Sequence, residues 1–115
     1  MRKAVLFAFN GEFMCFIHVL LYDLDMKATG YDIKIVIEGA ATKLIPELAE
    51  EGNTMHPLYI KAKESDLIAG ICKACSDKMG TLDAAKKEVL KLLDDMSGHP
   101  GMACYQEDGF EVITF

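Results

Sequence analysis

The apolar positions along the chain change period several times, and each change marks an element. Lys3 to Phe9 is a continuous apolar run, the pattern of a strand buried on both faces of a parallel sheet. Asn10-Gly11 interrupts it, and from Glu12 to Lys27 the residues are apolar nearly all round, Phe13, Met14, Phe16, Ile17, Val19, Leu20, Leu21 and Leu24 among them. A helix with so wide an apolar surface must bury more than one face, and a small sheet covers only one. The remainder is expected to meet another subunit. Gly30 supplies the helix stop. Tyr31 to Glu38 alternates and is rich in β-branched residues, which predicts a second strand ended by Gly39.

Further on, Thr42 is placed to cap a helix from Lys43 to Glu51, with Pro46 tolerable in its first turn. A short helix from His56 to Lys63 follows, with Leu58, Tyr59 and Ala62 as its inner face. Leu67 to Ile71 is short enough for a third buried strand; it ends on Cys72, where an amphipathic pattern opens a helix to Met79-Gly80. Thr81-Leu82-Asp83 reads as a capping region for a helix from Ala84 to Met96, with Val89, Leu90, Leu92, Leu93 and Met96 at helical spacing. Ser97-Gly98-His99-Pro100-Gly101 breaks the chain, Met102 to Glu107 forms a short helical piece, and Phe110 to Phe115 has the alternation of a final strand. Strands separated by helices predict an α/β fold: a three-layer α/β/α sandwich with a mainly parallel sheet of four or five strands and right-handed crossovers.

Composition narrows the reading. The 115 residues suit one domain, 1–115, with a single core. A formal net charge of -6 argues against nucleic acid as a partner, because phosphate binding is driven by Lys and Arg. Met1-Arg2-Lys3 before an apolar run mimics a signal peptide, but Asn10, Glu12 and His18 interrupt it before it could span a bilayer, so no membrane partner is expected. Cys15, Cys72, Cys75 and Cys104 lie mostly in apolar or periodic segments, which points to a reducing, cytoplasmic setting rather than a disulfide framework.

Ligands of an open parallel sheet bind outside the carboxyl ends of its strands. The residues just past those ends are Asn10-Gly11-Glu12, Glu38-Gly39-Ala40 and Cys72-Lys73-Ala74, so all three groups should share one rim. Cys72 at a helix start is expected as a solvent-presented thiolate, with Lys73 adding positive charge and Cys75 one turn away as a resolving thiol or second ligand. Asn10, Gly11, Glu38, Gly39 and Lys73 are the expected ligand-binding residues, and Cys72 and Cys75 the catalytic ones. A zinc site needs further donors; Cys104 with His99, or Cys15 with His18, could supply them in space. Otherwise His56 and His99, each before a proline, read as turn or cap residues, and Cys15 and Cys104 as packing groups. Phosphate-loop, glycosidase and serine-hydrolase patterns are absent.

Val5-Leu6-Phe7-Ala8-Phe9-Asn10-Gly11, Ile35-Val36-Ile37-Glu38-Gly39, Gly70-Ile71-Cys72 opening a helix, and Gly109-Phe110-Glu111-Val112-Ile113 span the whole length. On these stretches the chain resembles the DsrE-like superfamily, the group of small α/β proteins that includes DsrE, DsrF and TusD. The resemblance implies a sulfur carrier or sulfurtransferase that holds a persulfide on Cys72 without a cofactor. It also implies protein partners that donate and accept sulfur, and a homo-oligomer, a trimer or hexamer. Cys75 does not carry over from the sulfur-relay members and leaves disulfide or metal chemistry open. The competing expectation is a non-catalytic oligomeric module in which Asn10, Glu38 and the two thiols bind a small ligand or zinc.

Overall fold

The computed structural model describes residues 1–115. Five strands, β1 (Lys3–Ala8), β2 (Asp32–Ile37), β3 (Ile68–Cys72), β4 (Leu92–Leu93) and β5 (Glu111–Thr114), form one sheet in the order β4-β3-β2-β1-β5. Every neighbouring pair is parallel. The helices are α1 (Phe13–Ala28), α2 (Ile45–Leu48), α3 (His56–Glu64), α4 (Lys73–Lys78), α5 (Leu82–Lys87) and α6 (Ala103–Glu107). The expected α/β/α arrangement is therefore present, with layers of unequal weight.

Topology explains the inequality. From β1 to β4 the chain steps in one direction across the sheet, and crossovers of a single hand then place every connecting helix on the same face. The connection from β4 to β5 runs back past β1, so its helix falls on the other face. Ala4, Leu6 and Ala8 of β1, with Ile33, Ile35 and Ile37 of β2, accordingly pack under α1, α2, α3 and α5. Val5, Phe7 and Val36 point the other way, to Met102, Tyr105 and Phe110 around α6. Phe7 meets Tyr105 edge to face at 5.8 Å. Burial of β1 on both faces is what its continuous apolar run predicts.

Three expectations need correction. The helix expected from Ala84 to Met96 ends at Lys87; Val89 turns the chain at φ 59 with its side chain 86% exposed, and Leu92–Leu93 pairs with Ile71–Cys72 as β4. Here the edge of the sheet claims residues whose spacing also suits a helix. Gly70 lets the two strands close up, since a Cβ on it would lie 2.5 Å from the Lys91 carbonyl oxygen. Thr42 does not cap a helix: it sits inside a 3-10 turn, Gly39–Leu44, where its hydroxyl donates to the Gly39 carbonyl at 2.8 Å, and α2 is shorter than the expected helix from Lys43 to Glu51. Thr81 precedes α5 but makes no side-chain cap, donating instead to the Thr42 carbonyl at 3.2 Å.

Candidate metal and thiol centre

Because all strands run parallel, their carboxyl ends share one edge, and there β2, β3 and β4 lie side by side. Glu38 follows β2, Cys72 ends β3, and the loop after β4 carries His99. Cys72 is the N-cap of α4 in extended conformation (φ -61, ψ 121), and its sulfur accepts the Cys75 backbone N–H at 3.3 Å. The Ser76 hydroxyl donates to the Cys72 carbonyl at 2.7 Å, which anchors the junction.

A tight turn delivers the histidine. Met96 and His99 exchange backbone hydrogen bonds at 2.7 and 3.0 Å, and the two residues between them, Ser97 (φ 52) and Gly98 (φ 87), are both left-handed. That is the geometry of a two-residue hairpin loop in which glycine carries the second left-handed position without strain. The Gly98 carbonyl then accepts the Ala74 N–H at 2.9 Å, tying the turn to the start of α4. His99 Nδ1 comes to lie 3.2 Å from Cys72 Sγ and 3.6 Å from Cys75 Sγ. Donor atoms of Glu38, Cys72, Cys75 and His99 all fall within 4.8 Å of one another.

Electrostatics at this centre differ from the expectation of an exposed thiolate. Cys72 is 0% exposed, and burial, reinforced by Cys75 and Glu38 beside it, pushes its thiol up from 9.0 to about 12, although the Cys75 N–H pulls the other way. The short helix behind it does not offset that cost. Glu38, 8% exposed, is also raised from the ordinary carboxylate value by burial, partly opposed by His99. Two acids are thus held toward their neutral forms in a confined space, and a cation among them would favour both anions. Cys75 and His99 are half-buried and form the accessible side.

Of the expected site residues, the structure brings Glu38, Cys72 and Cys75 together and leaves the others outside the cluster. Asn10 Oδ1 accepts the Glu12 N–H at 2.8 Å and shapes the turn before α1, whose first amides Glu12 then caps. Gly11 and Gly39 serve close packing: a Cβ on Gly11 would meet Ala40 at 2.8 Å, and Gly39 (φ 53) abuts the Phe9 carbonyl oxygen. Lys73 turns to Asp94, Nζ to Oδ2 3.8 Å, as a half-exposed ion pair. His99 joins Cys72 and Cys75 rather than Cys104, which is exposed on α6 rather than a packing group. His18 bonds its own helix at the Met14 carbonyl, 2.8 Å away. The largest cavity, about 680 Å³ beside Ala69, Leu93 and Tyr105 on the α6 face, is lined by none of the four clustered residues.

No helix is long and apolar enough to cross a membrane. No protein-family model matches the chain, and no solved structure does. It is similar to an uncharacterised protein of Methanocaldococcus jannaschii, 28% identical over 96 residues, which cover 84% of this chain and 76% of that one. It is also 38% identical over 58 residues to an uncharacterised protein of Archaeoglobus fulgidus, covering 50% of this chain and 93% of the relative. At that identity, over nearly the whole of the shorter protein, the chain belongs to one family with the uncharacterised Archaeoglobus fulgidus protein.

Proposed function

We propose that the protein is a metal-binding module that holds one divalent ion of the zinc type between Glu38, Cys72, Cys75 and His99. The observation that carries this reading is the convergence of four donor atoms, from the ends of β2 and β3, the first turn of α4 and the turn after β4, to within 4.8 Å. Bonds of about 2.0–2.3 Å around a tetrahedron set donor atoms roughly 3.3–3.8 Å apart. The separations of 3.2 and 3.6 Å from His99 Nδ1 to the two sulfurs lie just below and within that range, and the widest donor pair, no more than 4.8 Å apart, must close by about 1 Å around an ion. Two thiolates with an imidazole suit zinc or a similar borderline ion and disfavour calcium or magnesium, which take oxygen. A reducing, cytoplasmic setting is part of this proposal, because the thiols serve as ligands only while reduced.

Zinc or cobalt(II) added to reduced, metal-free protein is expected to bind one per chain, cobalt with the absorption of thiolate ligation. Cys72→Ser and Cys75→Ser should abolish that band, with folding checked by circular dichroism. Failure of the reduced wild type to retain one ion per chain, or equal retention by Cys72→Ser, overturns the reading.

A persulfide carrier on Cys72, exchanging sulfur with donor and acceptor proteins, is the second proposal. Its support is the strand-end position and the N–H donated to the sulfur at 3.3 Å; the 0% exposure of Cys72 weighs against entry of a donor. Mass spectrometry after treatment with a persulfide donor should find one added sulfur atom on Cys72 if this second reading holds, and none in Cys72→Ser.

A further inference from the structure

We propose that the metal-free protein reduces low-molecular-weight disulfides, with Cys75 as the attacking thiol, Cys72 as the resolving thiol and His99 as the proton acceptor of the second step. The activity rests on the geometry of the pair; its suppression by metal rests on the reading of the same residues as ligands. Cys72 caps α4 and Cys75 lies in its first turn, with the Cys75 N–H on the Cys72 sulfur at 3.3 Å, and a disulfide between them needs Cβ atoms roughly 3.5–4.5 Å apart. Closing the bond therefore takes side-chain rotation and a small shift, not refolding. The sulfurs already lie within the 4.8 Å group and share His99 Nδ1 at 3.2 and 3.6 Å.

Burial assigns the roles. Cys72 is 0% exposed and unreachable by an external disulfide, whereas Cys75 stands on the half-buried, accessible side. In the first step Cys75 gives its proton to water and its sulfur attacks one sulfur of R–S–S–R; a Cys75–S–S–R bond forms, the R–S–S–R bond breaks, and RS⁻ leaves and takes up a proton. In the second, Cys72 passes its proton to His99 Nδ1 while its sulfur attacks the Cys75 sulfur. The bond from Cys75 to SR breaks, and the second RS⁻ leaves to take up a proton. Two protein thiols have lost two electrons and two protons, and one small disulfide has become two thiols. The internal bond also removes two of the four metal donors, so a bound ion and the exchange exclude each other.

The sequence supplies its own readout, because trypsin cleaves after Lys73 and separates Cys72 from Cys75. Reduced, metal-free protein is treated with glutathione disulfide, alkylated and digested. The peptide ending at Lys73 is expected joined to Ala74–Lys78 by a disulfide, with two hydrogens lost and no glutathione retained at either residue. Cys72→Ser should accumulate glutathione on Cys75, and Cys75→Ser should leave Cys72 unmodified. His99→Ala should slow the second step, so that the Cys75 mixed disulfide becomes visible. Glutathione trapped on Cys72 in Cys75→Ser, or wild type in which the two peptides never become joined, overturns the proposal. Protein that binds zinc but never forms the bond refutes the exchange and leaves the metal site standing; protein that forms it at the same rate with and without zinc refutes the metal reading and leaves the exchange standing.

Discussion

Asp23 offers a quantitative test of how this core is held. It lies on the buried stripe of α1 with Phe16, Ile17, Val19 and Leu20, is 0% exposed, and neither carboxylate oxygen has a hydrogen-bond partner. Burial raises its pKa from 3.8 to about 7; the Leu24 backbone N–H offsets this only in part and falls short of hydrogen-bond geometry. The folded chain therefore binds this proton more tightly than the unfolded chain does. Stability is unaffected by the group below about pH 4, falls as pH rises through the window between the two values, and carries the full cost above about 7. At about 1.4 kcal/mol for each tenfold difference in proton affinity, the full cost is about 4 kcal/mol.

Asp23→Asn keeps the shape and removes the charge. Urea denaturation of both proteins, in reductant and chelator to hold the thiols reduced and metal-free, should give nearly equal stabilities near pH 4. The variant should then pull ahead as pH rises, by about 4 kcal/mol at pH 8. Only the difference between the two curves matters, since other carboxylates titrate in both. Parallel curves across the whole range, or a wild type that gains on the variant with rising pH, would refute the claim of an uncompensated buried carboxyl.

Two further outcomes follow from packing. Gly70→Ala puts a methyl group 2.5 Å from the Lys91 carbonyl oxygen and 2.7 Å from Leu93 Cγ; it should cost about 1–3 kcal/mol in denaturant unfolding and weaken zinc binding by displacing β4 and the turn behind it, and unchanged stability would contradict the close approach of β3 and β4. We also propose a homo-oligomer, because Met14, Leu21 and Tyr22, on the face of α1 that also carries His18, are 46–53% exposed in the single chain. Light scattering at micromolar concentration should give a multiple of the chain mass and Leu21→Lys a monomer; a monomeric wild type ends that proposal.

The fold was legible wherever a run was buried on both faces or alternated cleanly, as in β1, β2 and β5, and the carboxyl-end rim followed from parallel strands alone. What escaped sequence reasoning traces largely to one segment. Leu90, Leu92 and Leu93 suit a helical face and an edge strand equally, and at a two-residue edge strand no propensity arbitrates; the choice is made by the Lys91 carbonyl accepting the Ile71 N–H at 2.9 Å, a contact distant in sequence. Reading a helix there placed Ser97-Gly98-His99-Pro100 after a helix instead of after a strand, and so took His99 off the rim. With β4 in place, β2, β3 and β4 are neighbours, and the residues just past each end, Glu38, Cys72 and the turn bearing His99, must converge. The signal was present: a Cys-x-x-Cys at one strand end and a histidine in a glycine turn after the next apolar segment. The burial of Cys72 was not available in the same way, because it depends on that turn folding over α4 through the bond from Ala74 N–H to the Gly98 carbonyl. The contact that brings the imidazole to the sulfur also covers that side of it, which is why this centre suits a held ion or a resolving thiol better than a freely presented nucleophile.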